Sequence, residues 1–561
     1  MPRKIKAMRV FITIIAAGLL TCLPLSSQSK YEIRAAWLTT IGALDFPDQK
    51  ANSAQGVIRQ KRELCRILDK LKEAHFNTVL LQTRLRGDVI YPSIFEGFAE
   101  SLTGFTGRNP GYDLLKFAVE ECHKRGLELH AWIVALPAGN ERQTKLQGKA
   151  AVTRKHPEIC RKYKGVWYLD PGNPKTADYL AGIVHEIVSS YDVDGIHLDY
   201  IRYPDHPADF PDRALFRKYG KGKTLEQWRR DNITRIVRRL YDETKKLKPW
   251  IKVSSSPIGK YKDTPRYSSK GWNAYHAVYQ DVSRWMKEGI QDLIFPMMYF
   301  QKNSFYPFAL DWNEHKNGRW VVPGLGIYFM HPDEQDWTLD EICRQISFTR
   351  ENGLDGQAYF RTRFLLDNTK GLLDELKEQV YPYPAVVPPM TWEDSIPPSP
   401  PTRPSLSMQD KTTRIKWQAP AQKGKNDACY YRIYASDSYP VDTGDGRNLM
   451  ESRTDSTCYT FISKEPWKQQ LYWAVTAVDR FGNESFPLTF NAPPEGIDII
   501  EGNLPDIPQG HILIISDVTG KELVRLPAST KDWPENIRDG LFRLSLLGPD
   551  GQVQIIGITL R

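Results

Sequence analysis

From residue 33 to about 380 the chain alternates short apolar runs with longer stretches whose apolar residues recur at helical spacing. That alternation is the pattern of a parallel β/α fold. Eight runs read as strands: 33–39, 78–84, 128–134, 195–201, 251–256, 293–299, 321–327 and 356–361. Helices are predicted between them, including 60–74, 112–125, 177–190 and 224–246; in the first, Leu64, Ile67, Leu68 and Leu71 share one face. Gly126, just before the third strand, is a natural helix stop. Eight such units predict a (β/α)8 TIM barrel over 30–381. The long connections, 88–109, 137–176 and 204–225, follow strands, and loops at those ends build the working face of a barrel.

The pattern changes at 382–404, a proline-dense stretch that predicts an extended, semi-rigid linker. Residues 405–490 alternate at strand spacing, the signal of a small β-sandwich. IKWQAP, YYRIYAS and YWAVTAVDRFGNES resemble a fibronectin type III domain, with Trp417 and Tyr431 as core aromatics. Residues 491–561 form a further small β-rich unit. Its HILIISDVTGKELVRLP and closing strand are similar to carboxyl-terminal sorting domains, the alternative being one more structural sandwich.

Composition narrows the function. The 561 residues are 41% hydrophobic and 11% aromatic, enough for several sizeable cores. Residues 1–29 hold Arg3, Lys4, Lys6 and Arg9, no acid, and the apolar run 10–20, and so read as a secretory signal. The expected location is therefore the periplasm, the outer-membrane surface or the medium, without a membrane span after processing. Thr21 and Leu23 fit lipoprotein processing poorly, so no lipid anchor is expected at Cys22. Outside this segment the charge is +5 of the total +9 and scattered, which argues against nucleic acid as a partner. Six further cysteines include no CxxC pair, so no zinc site is expected; whether Cys429 and Cys458 pair is left open.

Candidate chemistry gathers at strand ends. In DGIHLDYIRYP a buried strand ends in Asp199, followed by Tyr200, Arg202 and Tyr203. Because strand side chains alternate, Gln82 and Arg84, His130 and Trp132, His197 and Asp199, Ser254 and Ser256, Met297 and Tyr299, and Tyr359 and Arg361 are each expected to share an inward face. Glycosidic cleavage calls for one carboxylate as nucleophile or base and a second group as acid. Asp199 is the principal candidate, with an adjacent arginine expected to keep its pKa low, as suits a nucleophile. Asp88 is the first choice of proton donor, ahead of Asp45, Asp170 and Asp205, although Asp88 also fits as a cap on the turn at Gly87. Arg84, His130, Trp132, Asn140, His197, Arg202, Tyr203, Tyr299 and Arg361 are candidates for substrate binding. Asn140 fits a helix cap equally well. His130, His197 and Asp199 also fit a metal set, but a lone HxD is weak evidence and hydrogen bonding is the preferred role. Neither a cofactor nor a metal is expected.

EIRAAWLTT, NTVLLQTRLRGDVIYPS, RGLELHAWIV, WYLDPGNP and YDVDGIHLDYIRYP together resemble glycosyl-hydrolase-like family 10, barrels of bacterial envelopes. The resemblance implies an exported glycoside hydrolase acting on peptidoglycan glycan strands stripped of peptide, or on a related amino-sugar polymer. The family's strand-four motif commonly carries two consecutive acids, and here Tyr200 stands second. The competing reading is a barrel of the cell envelope that binds glycan without cleaving it.

Overall fold

The computed structural model describes residues 29–491, apart from 267–268, 422–423, 425–426 and 464–470, and most of 499–560. The expected leader, with Cys22, lies outside the described residues. Eight parallel strands close on themselves: β1 Ile33–Leu38, β2 Thr78–Arg84, β3 Glu128–Val134, β4 Gly195–Asp199, β5 Lys252–Ser255, β6 Leu293–Ile294, β7 and β8 Gly356–Tyr359. Strand β7 comes in two pieces, Trp320–Val321 pairing β6 and Gly324–Leu325 pairing β8. They flank Pro323, which has no N–H for the ladder. Ile33 pairs with Gly356 and completes the ring.

Each strand is buried along its length because it faces packed side chains on both sides. Helices α1 Ala54–Glu73, α2 Leu114–His123, α3 Pro174–Ser190 and α4 Leu225–Leu247 follow the first four strands. Their starts are set by Ser53, Asp113, Asn173 and Thr224, whose side chains accept backbone N–H groups of the first turn. The outward residues Leu81, Leu129, Ile133 and Leu198 pack under these helices, while Ala35, Trp37, Leu80 and Phe295 fill the interior. The interior is a packed core rather than a pore.

After the barrel, two antiparallel sheets of three and four strands form a sandwich around Ile415, Trp417, Tyr431, Ile433 and Trp473. A five-stranded sheet containing Ile512–Asp517, Leu541–Leu547 and Val553–Leu560 follows. Cys429 and Cys458 are both free thiols. The proline-dense segment does not hang free: the Val386 N–H donates to Lys30 O, and the Met390 N–H to Phe481 O. Val387, Met390 and Phe481 join the interior cluster beside Ile33 and Leu293, so they stopper the barrel where its strands begin.

The same end carries a buried ionic junction. Glu484 of the sandwich meets Lys30 at 2.7 Å and Arg432 at 2.7 Å, with both partner side chains and Glu484 under 10% exposed. Burial alone pushes the Glu484 carboxyl up, but the two cations outweigh it and hold it at about 2. An ordinary glutamate titrates near 4.3, so this junction stabilises the fold above that pH and loses its contribution as pH falls toward 2. Glu484→Gln strands two buried cations and is expected to lower stability at pH 7 by about 3–5 kcal/mol. Denaturant unfolding of wild type and variant checks this, and the gap should close on acidification toward pH 2.

Candidate active site at the carboxyl-terminal face of the barrel

Strand β4 places two polar side chains inside the barrel, one above the other. Below, His197 is fully buried; the Trp37 indole N–H donates to its Nε2 at 3.2 Å, and its Nδ1 lies 2.9 Å from Ser254 Oγ. An indole can only donate, so Nε2 is the bare nitrogen and Nδ1 carries the proton. Burial, with His130 adding to it, drives the His197 pKa well down and keeps the ring neutral. Above, Asp199 repeats the arrangement. The Trp132 indole N–H donates to Oδ2 at 3.1 Å, while Ser256 Oγ at 2.9 Å and the Tyr200 backbone N–H at 2.7 Å donate to Oδ1. The lower rung is sealed and the upper one, 6% exposed, touches solvent.

Burial raises the Asp199 carboxyl above the usual aspartate range, against the pull of its three donors and of Arg202. The expectation of an arginine-lowered pKa is therefore reversed, because desolvation of the charged form outweighs the guanidinium. Tyr200 adopts a left-handed backbone, φ 48°, which ends β4 two residues before the predicted limit and aims its N–H back at Asp199. The rim above is aromatic. The Arg202 guanidinium lies 4.7 Å from the centre of the Tyr200 ring and 5.7 Å from that of Trp272, both rings substantially exposed. Tyr299 stacks on Phe360 with centroids 5.3 Å apart. Asp199 is among the groups that raise the Tyr299 hydroxyl pKa, which puts this platform beside the carboxyl.

Other predicted residues lie elsewhere. Arg84 does not share a face with Gln82. Pairing runs Gln82 to Trp132 and then Arg84 to Ile133, so Thr83 is an extra residue, a bulge that swings Arg84 beneath the helices. There its fully buried guanidinium grips Glu96 at 2.6 and 2.9 Å and donates to Ala135 O. Tyr203 is likewise buried away from the mouth, between Phe210 and Tyr279, because the turn at Tyr200 redirects the chain. His130 faces inward but near the strand starts, 3.2 Å from Glu128 and under Gly195. Asn140 caps the helix Glu141–Gln147 in a reciprocal capping box with Gln143. Tyr359 lies on the outer face, bonded to Tyr381, and Arg361 fastens the last loop to the first through Asp45 Oδ1 at 2.6 Å. His130, His197 and Asp199 do not converge, and among the described residues no group of three or more His, Cys, Asp or Glu is placed to hold a metal.

The remaining acids differ in how they are occupied. Asp45 also accepts from Thr39 and Arg363, Asp170 pairs with Arg161 at 3.1 Å, and Asp205 is bound by Arg202. Asp88, in the turn after β2, accepts only the Arg86 backbone N–H among the described residues. Burial lifts its carboxyl to about 6, with Glu96 adding to the rise and Arg84 opposing it.

The model of the family glycosyl hydrolase-like 10 matches residues 32–329, the span of the first seven strands. This chain belongs to that family. It is 32% identical over 503 residues to the glycosyl hydrolase YngK of Bacillus subtilis, covering 85% of this chain and 97% of that one. It is 32% identical over 294 residues to the glycosyl hydrolase DigH of Escherichia coli, covering 49% of this chain and 67% of the relative. Among solved structures, the glycoside hydrolase domain of PgaB from Bordetella bronchiseptica aligns with 62% of this chain and 98% of its own at 14% identity. Its TM-score is 0.41.

The position of Arg84 has a direct test. Arg84→Met leaves Glu96 buried without a cation and should cost about 3–5 kcal/mol of stability. Thermal unfolding checks the loss, and glycan affinity measured below the transition should be unchanged.

Proposed function

We propose that this family member hydrolyses glycosidic bonds in an amino-sugar polymer of the cell envelope, with glycan strands of peptidoglycan as the candidate substrate, and that it is exported. The single observation behind the chemistry is Asp199: a carboxyl with a raised pKa, at the solvent-facing end of a barrel strand, beneath exposed aromatic rings. Burial favours the protonated form of this carboxyl, which suits it to give a proton to a leaving oxygen. Asp199 is accordingly the proton donor, the reverse of the role expected from the sequence, and the flat rings of Tyr200, Trp272 and Tyr299 offer faces on which sugar rings stack.

The second carboxyl is Asp88. Its rivals Asp45, Asp170 and Asp205 are committed to cations. An acid titrating at about 6 can take a proton from the attacking water. The glycosidic C–O bond then breaks with transfer of the Asp199 proton to the departing oxygen, while water adds hydroxide to the anomeric carbon. Substrate class and export rest on the family resemblance and on the basic, then apolar, amino terminus. The sandwich and the last sheet are read as a fibronectin type III-like spacer and a sorting-type unit.

Asp199→Asn should reduce kcat/KM on peptide-free peptidoglycan strands by about 10²–10⁴, the range for loss of a general acid. In wild type, activity should climb as pH rises through about 6 and Asp88 ionises. Asp88→Asn should be slowed and should lose that limb. Binding without turnover by the wild-type protein selects the non-catalytic reading instead, which the absence of a second carboxyl among the hydrogen-bond partners of Asp199 in the described residues favours.

A further inference from the structure

The rim of the site carries more positive charge than its own acids use. Arg202 is 6% exposed, yet among the described residues it donates through Nη1 alone, to Asp205, and its buried Nε has no partner. Arg86 is half-buried at the turn after β2; its backbone N–H donates to Asp88, but its guanidinium engages no carboxylate among the described residues. The two guanidiniums belong to one cluster. Tyr200 and Tyr168 each have Arg86, Arg202 and Asp205 as charged neighbours, although Arg86 follows β2, Tyr168 follows β3 and the others follow β4. The acid that shares both tyrosines with the two cations is Asp205, whose side chain is 58% exposed. Burial disfavours the charged form of Asp199.

A buried guanidinium with unmet N–H groups is costly, and a neutral hydroxyl repays less than an anion does. The planar fork of arginine matches a carboxylate in particular. The exposed Asp205 already occupies one edge of Arg202, which makes it an internal stand-in that a better anchored carboxylate can displace. We infer that Arg202 and Arg86 form a subsite for a carboxylate carried by the glycan, next to the bond being cut, and that Asp205 holds this subsite closed until substrate arrives. The inference rests on the glycan reading above and sharpens it: the chain selects amino-sugar polymers with an acidic substituent over neutral ones of the same backbone.

The test is isothermal titration calorimetry on full-length protein carrying Asp199→Asn, so that ligand stays intact. The probes are a tetrasaccharide alternating N-acetylglucosamine and N-acetylmuramic acid, and the same compound with its lactyl carboxylates converted to amides. The acid form should bind about ten- to a hundredfold more tightly, the span of a charge-assisted hydrogen bond. Arg202→Met and Arg86→Met should each shrink the difference. Asp205→Asn, an exposed change that does not threaten folding, should tighten the acid form and leave the amide unchanged, an increase that misfolding cannot produce. Equal affinity for acid and amide overturns the carboxylate subsite while leaving the glycan reading standing. Binding of neither compound overturns both.

Discussion

The site depends on how a closed barrel satisfies polar atoms in its dry interior. A hydroxyl, imidazole or carboxyl placed there without a partner costs several kcal/mol. On β4 the solution is used twice. His197 is met by the Trp37 indole and Ser254, and Asp199 by the Trp132 indole and Ser256. Alternation along β4 puts 197 and 199 on one face, and alternation along β5 puts 254 and 256 opposite them. The lower rung is wholly enclosed and fixes the serine and indole positions in a neutral setting. The upper rung uses the same geometry where water begins, so the carboxyl inherits a rigid frame before any ligand arrives.

The far end of the barrel is secured by different means. Small residues such as Ala35 and Ala358 leave the strand starts open, and Val387, Met390 and Phe481 fill that space from outside the β/α repeat. Glu484 then bridges Lys30, just ahead of β1, to Arg432 in the sandwich. A buried triad of this kind is modest evidence for stability, since desolvation consumes much of its attraction. Its effect is orientation: it specifies one docking of the sandwich on the barrel floor, away from the face where the chemistry sits.

The eight strands and the helices between them are legible in the sequence, because a strand buried on both faces must be continuously apolar. The inward pairing of His197 with Asp199 and of Ser254 with Ser256 also follows from a period of two. What the period cannot reveal is where it breaks. Thr83 adds one residue to β2 and turns Arg84 away, and Tyr200 leaves the β region and carries Tyr203 off with it. Both events are backbone irregularities with no compositional mark. Asn140 was readable as a cap, since an Asn three residues before Gln143 is a capping-box signature. Phe360, the platform under Tyr299, had no signal at all, because it acts through a partner some sixty residues earlier in the chain.

The residue after Asp199 shows what a single acid demands. Two adjacent carboxylates would raise one another's pKa by repulsion. With Tyr200 in the second position, that source is gone, and burial supplies the rise instead. Burial has its own requirement, since a desolvated carboxyl still needs donors when it ionises. The left-handed turn at Tyr200 meets it by returning a backbone N–H to Oδ1 at 2.7 Å. For a bulky aromatic that conformation costs on the order of 1–3 kcal/mol. The turn also throws the tyrosine ring outward, over Arg202 and into solvent. One strained residue therefore both steadies the acid below and builds the rim above.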